Sequence, residues 1–193
     1  MKNLFDHLFV RRRHICPWWL YFTFDNFVRR LFQNPEQILR PYVAEGITAL
    51  DVGPGMGYFS IPLARMVGPG GRVIAADIQP KMLSALQKRA KRAVVDQRIV
   101  IHLCKADSLG LDVKVDFALA FWMLHEVPAP LSFFKEMRSL LKTSGRLLVS
   151  EPVIHVTSRM FAKNMEIAFS NGFKIIDKPK IFLSRSVVLI KEK

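Results

Sequence analysis

The sequence predicts an α/β fold with a doubly wound, mostly parallel sheet, and three observations carry that prediction. Five short apolar runs alternate with helical segments, the order that parallel strands joined by crossover helices require. The first run, Ile47 to Val52, passes straight into Gly53-Pro54-Gly55-Met56-Gly57. The second, Arg72 to Asp77, ends on a carboxylate twenty residues after Gly57.

The elements follow in order. Asn34-Pro35-Glu36-Gln37 reads as an N-cap, a proline at the first helical position and a capping-box glutamine, with Pro41 kinking or ending the helix. Glycines at alternate positions after strand one suit a tight loop at a helix start, because glycine alone turns with φ > 0 while a ligand presses on the backbone. A helix is expected over Gly57 to Val67, ended by Gly68-Pro69-Gly70-Gly71, and a second from Pro80 to Ala93. Strand three is read at Arg98 to Cys104 and strand four at Val115 to Trp122. A helix from Pro130 to Leu141, closed by Thr143-Ser144-Gly145, leads into strand five at Arg146 to Ser150, and another helix covers roughly Val156 to Ser170. Two strand-like runs, Phe173 to Asp177 and Ile181 to Lys191, meet at Lys178-Pro179-Lys180 and predict an antiparallel hairpin.

The loop itself discriminates between cofactors. A dinucleotide fingerprint needs a further glycine where Tyr58 stands, and a P-loop needs Gly-Lys-Ser/Thr, which does not follow Gly57. Both observations speak against NAD, ATP and GTP. A plain turn with no ligand would not call for carboxylates after later strands.

Asp51-Val52-Gly53-Pro54-Gly55-Met56-Gly57, then Asp77, then Ala106-Asp107-Ser108 after strand three, and Gly145 to Pro152 at strand five resemble class I S-adenosylmethionine-dependent methyltransferases of the small-molecule type. The resemblance runs from about residue 35 onward. It implies a Rossmann-like three-layer sandwich with a mostly parallel seven-stranded sheet and a C-terminal antiparallel hairpin. It also implies S-adenosyl-L-methionine as cosubstrate and S-adenosyl-L-homocysteine as product. In the family pattern Gly53, Pro54, Gly55 and Gly57 bring backbone close to the methionine part, and Asp51 orders the loop and the amino group. Asp77 accepts from the ribose hydroxyls, as an ionised carboxylate at a strand end can. Ile78 packs on the adenine, Asp107 accepts from its amino group, and Ala106, Ser108 and Phe121 complete the cofactor set. Three positions keep a plainer alternative: Asp51 as a helix-cap or loop-bracing carboxylate, Ile78 as ordinary core, and Asp107 as a cap in the loop before Leu109.

Methyl transfer from a sulfonium is a direct displacement, so alignment supplies most of the catalysis. After strand four, Phe121-Trp122-Met123-Leu124-His125-Glu126-Val127-Pro128 lacks the Asn/Asp-Pro-Pro-aromatic signature of amino-methylating DNA enzymes and the Pro-Cys pair of cytosine chemistry. His125 is the candidate general base for a hydroxyl or amine, its unperturbed pKa lying near working pH; the alternative is that it only orients the loop. No metal is expected. Soft metals and metalloids favour several thiolates, and the two cysteines are Cys16, in the N-terminal segment, and Cys104, read as inside a strand.

The 193 residues are half apolar and fit one class I domain over residues 35–193, preceded by an aromatic and basic segment, residues 1–34, that includes Cys16-Pro17-Trp18-Trp19. That segment is read as a lid over the acceptor pocket, with core packing and an interfacial membrane-touching helix as alternatives. The net charge of +13 comes from Arg11-Arg12-Arg13, the Lys81 to Arg98 stretch and the Lys178 to Lys193 tail. It favours encounter with phosphates or anionic lipid, although such runs on helices are commonly solvated faces. Neither a signal-peptide pattern nor an apolar run of roughly 20 residues is present, which points to a cytoplasmic protein with peripheral membrane contact as an option. The expected partner is a small-molecule, lipid-like acceptor. RNA or protein methylation by way of the basic surface, and a non-catalytic cofactor-binding role, are the competing expectations.

Overall fold

Residues 27–192 are described in a computed structural model of the chain. What was expected of Arg11-Arg12-Arg13, Cys16-Pro17-Trp18-Trp19 and the other aromatic residues before residue 27 lies outside the described residues.

Alternation along the strands sets the architecture. In β1 (Thr48–Val52), Leu50 and Val52 join one buried cluster while Ala49 joins another. β2 (Arg72–Asp77) divides likewise, Ile74 and Ala76 against Val73 and Ala75. A strand that is apolar on both sides needs cover on both sides. One face is covered by α2 (Pro35–Leu39), α3 (Ser60–Met66) and α4 (Pro80–Arg92), through Leu39, Leu63 and Leu86. The other is covered by α5 (Pro130–Leu140) and α6 (Ser158–Ser170), through Phe134, Met137 and Met165. A short helix, α1 (Phe27–Phe32), precedes them. With β3 (Ile99–Leu103), β4 (Val115–Phe121), β5 (Leu141–Pro152), β6 (Phe173–Asp177) and β7 (Ser184–Lys191), the sheet has seven strands in the order β3-β2-β1-β4-β5-β7-β6. β7 alone runs antiparallel to its neighbours β5 and β6. This is the Rossmann-like three-layer sandwich with a C-terminal antiparallel hairpin.

Several boundaries differ from the sequence reading, most by a residue or two, and four of the differences have a local reason. The helix after the glycine loop begins at Ser60, because Gly57 sits at φ +90° and cannot be helical. Helix α5 ends at Leu140 and the chain turns extended at once, with Leu141 at ψ 140°. Thr143-Ser144-Gly145 therefore lie inside β5, where the pairing slips between Val115↔Leu141 and Phe117↔Arg146. Cys104 falls just past the end of β3, its N–H donating to Asp77 O at 3.0 Å. Trp122 leaves β4 at φ +57°, a left-handed conformation that a bulky side chain adopts only when its surroundings hold it there. Its N–H donates to Ser150 O at 2.7 Å and its indole Nε1 to Ser184 Oγ at 2.9 Å. The expected cap of α2 is present, with Asn34 Oδ1 accepting from the Glu36 and Gln37 N–H groups at 3.0 and 3.4 Å.

Candidate active site

The six parallel strands all point to one edge of the sheet, so the residues that follow β1 to β4 meet there. They enclose a cavity of about 600 Å³, within the range that holds a small-molecule ligand. Gly53 forms part of its wall after β1, Asp77 and Ile78 after β2, Cys104 to Leu109 after β3, and Met123 and His125 to Ala129 after β4.

Gly53 has φ +69°, and a Cβ there would lie 3.0 Å from Met123 Cβ. Only glycine fits both conditions. Gly55, at φ +55°, donates its N–H to Asp77, as do Ile78 and Gln79, the last at 2.8 Å. Burial pushes the Asp77 carboxyl up to about 6 against the pull of these backbone donors. Asp51 lies deeper, outside the cavity wall. Burial pushes its carboxyl up to about 7, the Ser60 hydroxyl at 2.6 Å opposes this, and the charge of Asp77 adds to it. Pro54, Gly55, Gly57 and Phe121 also lie outside the wall, whereas Gly53, Asp77, Ile78, Ala106, Asp107, Ser108 and His125 lie in it.

The geometry fits S-adenosylmethionine. Two carboxylates held above their usual range by burial are groups that gain from a cationic ligand, and the sulfonium and ammonium of that molecule are cations. Asp77 at the strand end keeps acceptor capacity for ribose hydroxyls, and the wall at Gly53 is bare backbone.

Four residues with no role in the sequence reading help shape the cavity. Glu136 on α5 takes Ser108 Oγ at 2.6 Å and the Leu109 N–H at 2.8 Å, fixing the loop after β3. Met123 walls the cavity opposite the missing Cβ of Gly53. Cys104 lines the cavity instead of lying inside a strand, and burial, with nearby Asp77, pushes its thiol up to about 11, so it stays protonated. Glu151, fully buried at the end of β5, accepts from the Leu124 and His125 N–H groups at 3.0 and 3.1 Å and meets His125 Nδ1 at 2.7 Å. Burial alone would lower the His125 pKa; the hydrogen bond and charge of Glu151, aided by Glu126, outweigh it and raise it. Glu151 was legible in principle, since an acid closing β5 shares the sheet edge with a histidine following β4. Nothing in the sequence marks Glu136.

Among the described residues no group of three or more His, Cys, Asp or Glu side chains could hold a metal ion.

A family profile described as a methyltransferase domain matches residues 44–182. The chain belongs to the class I S-adenosylmethionine-dependent methyltransferases. S-Adenosylmethionine is the cosubstrate of that family. This methyltransferase domain is similar to the demethylmenaquinone methyltransferase of Bacillus velezensis, with 32% identity over 109 residues, 56% of this chain and 47% of that protein. It is likewise 30% identical to the demethylmenaquinone methyltransferase of Staphylococcus aureus over 144 residues, 72% of this chain and 58% of that one. It thus spans about half the length of the curated relatives it matches. Among solved structures, a SAM-dependent methyltransferase from Aquifex aeolicus superposes with a TM-score of 0.82 at 23% identity, over 91% of this chain and 99% of the other. Aeropyrum pernix fibrillarin, with natively bound S-adenosyl-L-methionine, gives 0.63 at 18% identity over 77% and 68%. Both share the fold of this methyltransferase domain.

Proposed function

We propose that this chain transfers a methyl group from S-adenosylmethionine to a small, lipid-like acceptor held between the cavity and the N-terminal segment. The observation that supports this best is one cavity whose wall carries both Asp77 after β2 and His125 after β4, the latter held from behind by the buried Glu151 at the end of β5. The relatives named for demethylmenaquinone methylation favour a small apolar acceptor. Helix α1 supports the lid reading for residues 1–34. Its Arg29 guanidinium lies 4.3 Å from the Tyr58 ring centroid and 4.5 Å from that of Trp122, beside the glycine loop and the end of β4.

When bound, S-adenosylmethionine supplies an electrophilic methyl group on a sulfonium. Asp77 accepts from the ribose hydroxyls, Ile78 packs against the adenine, and Asp107 and Ser108 lie where the base would be read. Asp51 orders the glycine loop from behind through Ser60. His125 donates Nδ1–H to Glu151, which leaves the Nε2 lone pair to take a proton from an acceptor O–H or N–H. The buried Glu151 carboxylate stabilises the imidazolium so formed. The protonated Cys104 thiol contributes wall and no nucleophile.

Calorimetric titration with S-adenosylhomocysteine tests the cofactor half of the reading, with NADH as control. Wild type is expected to bind and NADH to give no heat. Asp77→Ala removes two charge-assisted hydrogen bonds and is expected to weaken binding by about tenfold to a hundredfold or more. Silence with wild type would sink the assignment. Methyl transfer to a panel of hydroxylated aromatic and quinol acceptors tests the other half. The net charge of +13 favours a second reading, methylation of RNA, for which turnover must fall steeply with salt. A flat response removes it, and transfer to any acceptor removes a purely cofactor-binding role.

A further inference from the structure

A cluster of large apolar side chains stands in solvent on the edge of the sheet that carries the cavity. Leu31 and Phe32 on α1, Ile154 after β5, and Phe182 and Leu183 before β7 are between 43% and 74% exposed. Contacts tie them into one patch. The Phe32 and Phe182 rings stack with centroids 5.0 Å apart, Gln33 Nε2 donates to Phe182 O at 2.6 Å, and the Val153 N–H beside Ile154 donates to Leu183 O at 2.9 Å. The pairing Pro152↔Ser184 places the loop before β7 at the carboxyl ends of the parallel strands, two strands along the sheet from β4, the nearest strand whose following residues wall the cavity. Leu183 sits at φ +52°, a conformation that costs a leucine energy.

The surroundings are basic. Lys178 and Lys180 are exposed in the same loop. The acids nearby are already engaged: Asp177 accepts from Tyr42 Oη at 2.5 Å, and Glu36 pairs with Arg30 at 2.8 Å. An apolar tip flanked by lysines on a chain of net charge +13 is complementary to one kind of surface, an anionic bilayer, where the rings enter the interface and the lysines meet phosphates.

We propose that the loop 178–183 and helix α1 form a docking face for an anionic membrane, which sets the cavity mouth at the lipid surface and delivers the acceptor from it. This rests on the lipid-like acceptor of the preceding section for its purpose. Membrane binding itself is measured without any acceptor.

The test is co-sedimentation of the full chain with phosphatidylcholine vesicles, with and without phosphatidylglycerol, beside two variants. Phe182→Ser with Leu183→Asn keeps the net charge, and asparagine tolerates the positive φ. Lys178→Gln with Lys180→Gln keeps the apolar tip. S-Adenosylhomocysteine titration of each sample reports separately on folding and on the cofactor reading. The expected result is binding that needs the anionic lipid, a loss of about tenfold or more in the apolar pair, and a smaller, salt-dependent loss in the lysine pair. Binding by the apolar pair equal to wild type would make the effect that of a general polycation and overturn the proposal. So would failure of wild type to bind, saturable binding of a single-stranded RNA oligomer that displaces the vesicles, or a vesicle-free dimer that the apolar pair abolishes.

Discussion

At the scale of single residues, Glu151 carries two duties that substitution separates. It satisfies two backbone N–H groups and holds the His125 ring, all from a fully buried position. Glu151→Ala leaves those donors unmet and is expected to cost about 2 to 4 kcal/mol of stability by denaturant unfolding. Glu151→Gln retains most of the stability but removes the charge that raises the His125 pKa. The acidic limb of a methyl-transfer pH profile is expected above the ordinary histidine value in wild type and is expected to move down in this variant. An unmoved limb would show that His125 only braces the loop. Gly53→Ala sets a methyl group 3.0 Å from Met123 Cβ at a backbone angle that alanine resists. The expected outcome is a loss of about 1 to 2 kcal/mol in thermal or denaturant unfolding, with weaker binding of S-adenosylhomocysteine. Residues whose place in the cavity wall depends on the backbone just before or after them, Gly53 and Asp77, were legible in the sequence. Glu136 and Cys104 were not, because their roles depend on which loop a helix face or strand end happens to meet.

The elements were legible wherever hydrophobic alternation and punctuation agree. β2 and β6 have the bounds read from the sequence, and α4 stops one residue short. The misreading of Thr143-Ser144-Gly145 has a physical cause. Small polar residues with a glycine mark the end of a helix, but they equally suit the irregular start of a strand whose pairing slips, and Lys142 Nζ holds that stretch to Asp116 at 2.7 Å. The described part of helix α1 spans six residues, too few to be stable on their own, and tertiary contacts hold it to the domain. They include Gln33 Nε2 to Phe182 O, the Tyr58 hydroxyl to Gln33 O, the Phe32–Phe182 stack and Arg29 on its ring partners. Gln33→Ala is expected to cost about 1 kcal/mol in unfolding stability and to speed trypsin cleavage at Arg29 and Arg30. An unchanged cleavage rate would mean that the remaining contacts hold the helix.

For the whole molecule the buried acids make stability depend on pH in an unusual direction. Asp51 and Asp77 titrate near 7 and 6 when folded, against an ordinary carboxylate value near 4 when unfolded. Their stabilising effect is complete below pH 4 and is lost as pH rises through 6 and 7, because the folded state must then ionise groups that burial prefers neutral. His125, also raised, acts in the same direction above its unfolded value. Asp116 opposes it: despite the burial that would raise its pKa, the Lys142 bond keeps it low, and its contribution fades only as pH falls below 4. The ligand-free thermal midpoint is therefore expected to decline from about pH 5 to pH 7.5, and added S-adenosylhomocysteine to stabilise more at the upper end. Differential scanning fluorimetry across that range checks both; a midpoint rising with pH would contradict the assignment of these two acids. The strand order has a further consequence, for the order of assembly during synthesis. β7 is made after β6 yet lies between β5 and β6, and its Val187, Val188 and Leu189 are buried. A nascent chain that has emerged as far as β6 thus has a bare edge on β5 and a strand with nothing to pair with. Trp122 likewise lacks the Ser184 hydroxyl that holds its indole. The sheet closes only when β7 slides in, and until then the growing chain carries an exposed, apolar strand edge that invites wrong pairing.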